Sequence, residues 1–173
     1  YAINLVNIQK IGEDRMKNLT SLIKLLKDKE LKIAAAESCT GGLLGGALTS
    51  MPGSSQFFEM GVITYSNEAK IKLLGVRDST INEFGAVSEN TAKEMAVNIK
   101  NIAGTHIGVS ITGIAGPSGG SKEKPVGLVY IGVSMENNTY IYKHFFEGDR
   151  ANIRKQSVSS ALEHILLLLM EER

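Results

Sequence analysis

Ala34-Ala35-Ala36-Glu37-Ser38-Cys39-Thr40-Gly41-Gly42 begins as an apolar run, stops in small polar residues and glycines, and resumes with helix-compatible spacing. That pattern predicts a buried strand that hands the chain to a helix through a tight turn, with Ser38 at the strand exit. In α/β proteins this is the edge of the sheet where chemistry is placed. Working outward, Arg15 to Lys29 has apolar positions at Met16, Leu19, Leu22, Ile23, Leu25 and Leu26, a helix with one buried face. Leu31 to Ala36 follows as the strand, and Gly41 to Thr49 as a helix rich in leucine, glycine and alanine, ended by Met51-Pro52-Gly53.

Further along, Gly61 to Tyr65 reads as a strand and Glu68 to Leu74 as a short helix closed by Gly75. Ser88 caps a helix whose inner side carries Ala92, Met95, Ala96, Ile99 and Ile102. His106 to Ile111 is a strand that runs into glycine. Val126 to Ser134 and Thr139 to Phe146 form an antiparallel hairpin around Asn137-Asn138, and Asp149 caps the long last helix. The order α-β-α-β-α-α-β-β-β-α implies a mixed sheet covered by helices on both faces.

The chain of 173 residues suits one core rather than two catalytic domains. The sequence opens on Tyr1 without a signal-peptide pattern, and residues 1–13 read as an extension or linker before a domain expected over 14–173. With a net charge of +1 and no basic block interleaved with aromatics, a nucleic-acid surface is not implied. Cys39 is the sole cysteine, which excludes an internal disulfide and points to a reducing, cytoplasmic setting. His106, His144 and His164 lack metal-ligand spacing and read as packing residues, so no metal is expected. The run Ile165 to Met170 is far short of the about 18 apolar residues of a membrane span.

Ser38 is the candidate nucleophile, with backbone amides of the following turn available to a developing oxyanion; the plainer alternative is a strand-end hydroxyl bonded to backbone. The surroundings are not Gly-x-Ser-x-Gly and histidine is scarce, which disfavours a histidine triad. The base is therefore sought among lysines. Tyr65-Ser66-Asn67-Glu68-Ala69-Lys70 puts a phenol at a strand end and an amine one helical turn later, and if the two strands are neighbours both groups reach Ser38. Bringing a lysine from its ordinary pKa of about 10.4 to near 7 takes roughly 4.6 kcal/mol of destabilisation of the ammonium, from burial or a nearby cation. A solvated helix lysine is the alternative. Lys72 points elsewhere, Ser21-Leu22-Ile23-Lys24 lies in an amphipathic helix without glycine turns, and Cys39 reads as a buried small residue behind the turn.

A second glycine cluster, Thr112-Gly113-Ile114-Ala115-Gly116-Pro117-Ser118-Gly119-Gly120-Ser121, leaves a strand and could present Thr112 and successive amides to a carboxamide or phosphate, or serve as an ordinary loop. It is neither Gly-x-Gly-x-x-Gly nor a P-loop. Arg150 and Arg154, four apart at the start of the last helix, oppose its dipole and call for an anion, either Asp149 or Glu147 or a ligand phosphate.

Ala36-Glu37-Ser38-Cys39-Thr40-Gly41-Gly42, the Gly61 to Lys70 stretch, Gly85-Ala86-Val87-Ser88, Thr112-Gly113-Ile114-Ala115-Gly116-Pro117 and Gly148-Asp149-Arg150 together resemble the CinA C-terminal domain family. The resemblance covers about residues 14 to 170, with separated motifs in one order. It implies a three-layer α/β/α sandwich with a mixed, largely parallel sheet. It also implies hydrolysis of nicotinamide mononucleotide, or a related pyridine nucleotide, to the nicotinate form and ammonia without cofactor or metal. The family's serine falls on Ser38, its lysine on Lys70, its tyrosine on Tyr65, its loop threonine on Thr112 and its arginine on Arg150. Cys39, Thr40, Gly41, Gly42, Thr112 and Gly113 are the expected oxyanion or substrate contacts, with Arg150 and Arg154 for the phosphate. The family's glycine segment commonly reads Gly-Pro-Gly-Gly-Gly, where this chain has Ser118. The resemblance makes a homo-oligomer the expectation, and the charge pattern and short apolar runs leave no nucleic-acid or membrane partner expected. The alternative class is a non-catalytic nucleotide- or phosphate-binding module of a larger CinA-type protein.

Overall fold

The computed structural model describes residues 17–171. The expected extension at 1–13 and the start of the first helix, with Arg15 and Met16, lie outside them. The elements are α1 (17–28), β1 (Ile33–Glu37), α2 (Leu43–Leu48), a 3-10 turn (Ser54–Gln56), β2 (Phe58–Ile63), α3 (Asn67–Leu74), α4 (Asp78–Phe84), α5 (Glu89–Ala103), β3 (Ile107–Gly113), β4 (Leu128–Met135), β5 (Asn138–Phe145) and α6 (Arg150–Glu171). The five strands form one sheet in the order β2-β1-β3-β4-β5. β1 pairs in parallel with β2 and β3, whereas β4 runs against both β3 and β5, so β4 alone is reversed and the sheet is mixed.

β1 divides the core. Ile33 and Ala35 face the layer built by α1, α2 and α6, through Leu22, Leu26, Leu44, Leu48, Leu162 and Ile165. Ala34 and Ala36 face the other layer, with Leu74 of α3, Ile81 of α4 and Met95 and Ile99 of α5. Alternation of period two thus serves two buried faces, and small alanines let both helical layers approach closely. The helices on both sides make the three-layer sandwich that the sequence implied.

Boundaries moved where the local signal was weak. β2 begins at Phe58 and ends at Ile63 rather than spanning Gly61 to Tyr65, because this edge strand alternates half-buried and exposed residues and its first half lacks an apolar run. The hairpin pairs Met135 with Asn138, so Glu136 and Asn137 make the turn, with Glu136 at φ 50°. α4 was not foreseen. It has few apolar residues to mark a period, and its start is held from outside by Glu94, which accepts from Arg77 and the Thr80 hydroxyl. His144 and His164 do pack, as expected, with Nε2 atoms 2.9 Å apart, His164 stacked on Tyr142 and His144 on Phe146.

The turn after β1 is organised by Glu37, which is 2% exposed. Its carboxylate accepts from the amides of Gly42 (3.0 Å), Leu44 (3.1 Å) and Gly45 (2.8 Å). These are the orphan donors at the start of α2, whose Gly42 cap has no side chain to serve them. A buried acid at a strand end is therefore satisfied by a helix start, where a negative charge is favoured. Gly41 and Gly42 take φ values of 57° and 96°, backbone geometry that glycine reaches without steric penalty.

Two substitutions test this arrangement. Gly108 on β3 lies under α5, where an added Cβ would collide with the Ala96 carbonyl and the Lys100 backbone. Gly108→Ala is expected to lower the urea-unfolding free energy by about 1–3 kcal/mol through overpacking. Glu37→Gln leaves one acceptor oxygen and turns an N–H donor toward a helix start that offers only donors. An expected loss of about 1–3 kcal/mol, measured the same way, follows from the unsatisfied amides.

Candidate active site

The parallel strands β1, β2 and β3 end on the same edge of the sheet, and the chain leaves β1 and β2 toward opposite faces. After β1 it enters α2 in one layer, and after β2 it enters α3 in the other. A crevice opens where neighbouring connections diverge in this way. Ser38 sits directly at the exit of β1, its amide held by the Ile111 carbonyl at 2.9 Å.

α3 aims Lys70 into that crevice. Ser66 caps the helix by accepting from the Ala69 amide at 3.0 Å, and Lys70 and Leu74 occupy its buried side. Lys70 Nζ donates to the Thr64 carbonyl at 2.9 Å and lies 3.1 Å from Ser38 Oγ. The residue is 1% exposed, and burial lowers the pKa of its amine from the ordinary value. Among the described residues no carboxylate lies within ion-pair distance of it, whereas Lys72 points outward to an ion pair with Glu68. A buried amine with no counter-ion favours its neutral form, which can accept a proton from an adjacent hydroxyl.

Ser38, Lys70, Tyr65, Cys39, Thr112, Gly113, Gly116 and Arg150 line one cleft of about 240 Å³. Tyr65 is 60% exposed, and its hydroxyl accepts from Arg150 Nη2 at 2.8 Å. Tyr65 does not hydrogen-bond to Ser38 or Lys70, so the expected reach of the phenol to the serine is replaced by a link to Arg150. Arg150 Nη1 donates at 2.8 Å to the Gly116 carbonyl, tying the second glycine segment to the cleft wall. Thr112 donates its only hydroxyl proton to the Ala86 carbonyl at 2.7 Å, which leaves that oxygen as an acceptor toward a ligand rather than an oxyanion donor. Gly113 is packed closely, since a Cβ there would press on Val129 and the Leu128 carbonyl.

The turn itself is more selective than its composition suggests. The Gly42 amide is taken by Glu37 and the Gly41 amide by the Ser38 carbonyl, so neither is free for a ligand. Among the described residues the amides of Cys39 and Thr40 have no acceptor; Cys39 lines the cleft, whereas Thr40, an expected contact, is fully buried and does not line it. The Cys39 thiol is 5% exposed and burial raises its pKa to about 11, so it remains a protonated packing group at neutral pH. Arg154 lies apart from Arg150. It borders a neighbouring groove between α2 and α6 and donates to the Cys39 carbonyl at 3.0 Å and the Thr40 carbonyl at 2.7 Å. Sequence reading did not find Glu37 as the organiser of the turn; the available signal was an acid ending an otherwise apolar strand.

Among the described residues no group of three or more His, Cys, Asp or Glu side chains could hold a metal ion, and no helix is long and apolar enough to cross a membrane. Comparison with known proteins places this geometry in a family. A protein of Thermoanaerobacter pseudethanolicus, named as competence-damage inducible, is 48% identical over 163 residues, covering 94% of this chain and 39% of its own length. A similarly named Clostridium tetani protein is 51% identical over 82% of this chain and 35% of its own. The chain thus spans less than half the length of these curated relatives. Among solved structures, competence/damage inducible protein CihA from Agrobacterium tumefaciens superposes with a TM-score of 0.87 at 41% identity, covering 91% of this chain and 96% of that one. A CinA superfamily protein from Klebsiella pneumoniae gives 0.88 at 32% identity, covering 91% and 98%. The family model for the CinA C-terminal domain matches residues 16–169, and the chain belongs to that family.

Proposed function

We propose that this domain is an amidase that hydrolyses the carboxamide of nicotinamide mononucleotide, or of a related pyridine nucleotide, with Ser38 as nucleophile and Lys70 as its base. The observation that carries the reading is the 3.1 Å approach of a buried, uncompensated lysine amine to a serine oxygen at the exit of a central strand. Solvated surface lysines do not arise in such a place. The substrate assignment is supported by the family to which the chain belongs.

In this mechanism neutral Lys70 accepts the Ser38 proton as the oxygen attacks the carboxamide carbon. The developing oxyanion is met by the Cys39 amide, which has no acceptor among the described residues and belongs to a residue that lines the cleft. Collapse of the tetrahedral intermediate breaks the carbon–nitrogen bond, and Lys70 returns the proton to the departing ammonia. Water then attacks the acyl ester, giving its proton to Lys70, and the carboxylate product leaves as Ser38 is regenerated. Thr112 accepts from the carboxamide nitrogen, which orients the amide before attack. Arg150, with guanidinium donors beyond those used for Gly116 and Tyr65, meets the phosphate at the open side of the cleft. A volume of about 240 Å³ suits one ring and its ribose better than a dinucleotide.

Ammonia release from nicotinamide mononucleotide tests the reading. Ser38→Ala and Lys70→Met are each expected to lower kcat by at least about 10³-fold. No release by the wild-type domain, or unchanged variants, would overturn it. The acid limb of the rate profile follows from the sign of the lysine shift: activity requires neutral Lys70, rises with pH through its lowered pKa, and is lost below it. The same shift makes the ammonium costly to bury, so the folded state holds fewer protons than the unfolded chain. Lys70→Met is therefore expected to melt at or above the wild-type temperature at neutral pH, which separates loss of chemistry from loss of fold.

A further inference from the structure

We infer that Arg154 is a positioning residue of the nucleophile turn rather than a ligand for the substrate phosphate, an inference that rests on the amidase reading. Two of its donors are committed to successive carbonyls, Nε to Cys39 and Nη2 to Thr40. Its guanidinium borders the groove between α2 and α6, separate from the cleft that Ser38 and Arg150 line.

The consequence follows from peptide planarity. In a trans peptide the carbonyl and the next N–H point in opposite directions. Holding the Cys39 carbonyl toward Arg154 therefore turns the Thr40 amide away from α6. Holding the Thr40 carbonyl likewise sets the Gly41 amide, which donates to the Ser38 carbonyl at 3.1 Å. That bond in turn fixes the Ser38–Cys39 peptide and with it the direction of the Cys39 amide. One side chain on α6 thus sets three consecutive peptide planes, and both unclaimed amides belong to them.

Local geometry reinforces this role. Gly41 at φ 57° brings the turn against the guanidinium, and a Cβ there would stand 3.4 Å from Arg154 Nη2. The planar fork reaches two adjacent carbonyls at once. A lysine at this position offers a single point of attachment and cannot reproduce that pattern.

Kinetics on two substrates, nicotinamide mononucleotide and its phosphate-free nucleoside, distinguish positioning from phosphate binding. Arg154→Ala is expected to lower kcat by about 10- to 100-fold, short of the ~10²–10³ that follows outright removal of an oxyanion donor. KM should change little, and the loss should be equal on both substrates. Arg154→Lys should recover only part of the rate. A loss confined to the phosphate-bearing substrate and expressed as a raised KM would overturn the inference while leaving the amidase intact. Amide NMR spectra of the same proteins give a readout independent of turnover. The Cys39 and Thr40 cross-peaks should shift or broaden in Arg154→Ala while those of β3 and α5 stay in place, and unchanged Cys39 and Thr40 peaks would overturn the assignment. Failure of the wild type to release ammonia would remove the amidase reading and with it the catalytic role, whereas the spectra still decide whether Arg154 sets the turn.

Discussion

The turn at the exit of the central strand depends on where the Glu37 carboxylate goes. An acid at the end of a central strand, buried on both faces, needs donors, and the only dense supply nearby is the start of α2. Meeting that need forces the chain to reverse within residues 38–42, and the glycines at 41 and 42 are the positions where left-handed geometry is taken. The reversal leaves Ser38 at the strand exit and uses the Gly42 amide. Glu37 thereby helps to select, without touching the cleft, which amides of the turn remain for a ligand.

Lys70 is the counterpart on the next strand's connection. A buried amine held by one carbonyl and one hydroxyl, with no acid among the described residues to neutralise it, is a costly arrangement, and a packed apolar side chain of similar size would be more stable there. A buried, perturbed amine beside a hydroxyl in a cleft marks a candidate functional group. The two helical layers divide the labour. α2, on the face of α1 and α6, fixes the turn that carries Ser38, while α3, on the opposite face, delivers the Lys70 amine. The sheet registers them because Glu37 pairs with Ile63 of β2 and with Ile111 of β3, which aligns the exits of the three parallel strands.

The parts of this molecule that were legible in the sequence are those written in hydrophobic period or in turn chemistry. The alanine run of β1, the Ser88 cap of α5 and the glycine stops of the helices are local signals, and each element stands within a few residues of its expected place. The Ser38 and Lys70 juxtaposition was also legible, given neighbouring strands, because helical spacing from Tyr65 sets the height of the amine. α4 was hidden because what holds it comes from Glu94 on another helix. Tyr65 was assigned to the serine because proximity along the chain says nothing of the competing guanidinium, which arrives from α6. Thr112 kept its place but not its polarity, since the acceptor for its proton, Ala86, is a backbone atom that no residue pattern encodes.

The arginine pair shows how much such spacing leaves open. Residues four apart on a helix share a face, and two cations at a helix start suggested a common anion. In the fold, Asp149 caps the helix by accepting from the Asn152 amide at 2.8 Å, Arg154 donates to two carbonyls, and Arg150 donates to one carbonyl and the Tyr65 hydroxyl. One turn of α6 advances about 5.4 Å, enough to carry the second arginine from the wall of the cleft to the turn after β1. Arg150 ties the second glycine segment to Tyr65, and Arg154 grips the first. The start of α6 is thus a brace between the two glycine-rich segments, whose carbonyl oxygens accommodate positive charge at a helix end that would otherwise disfavour it.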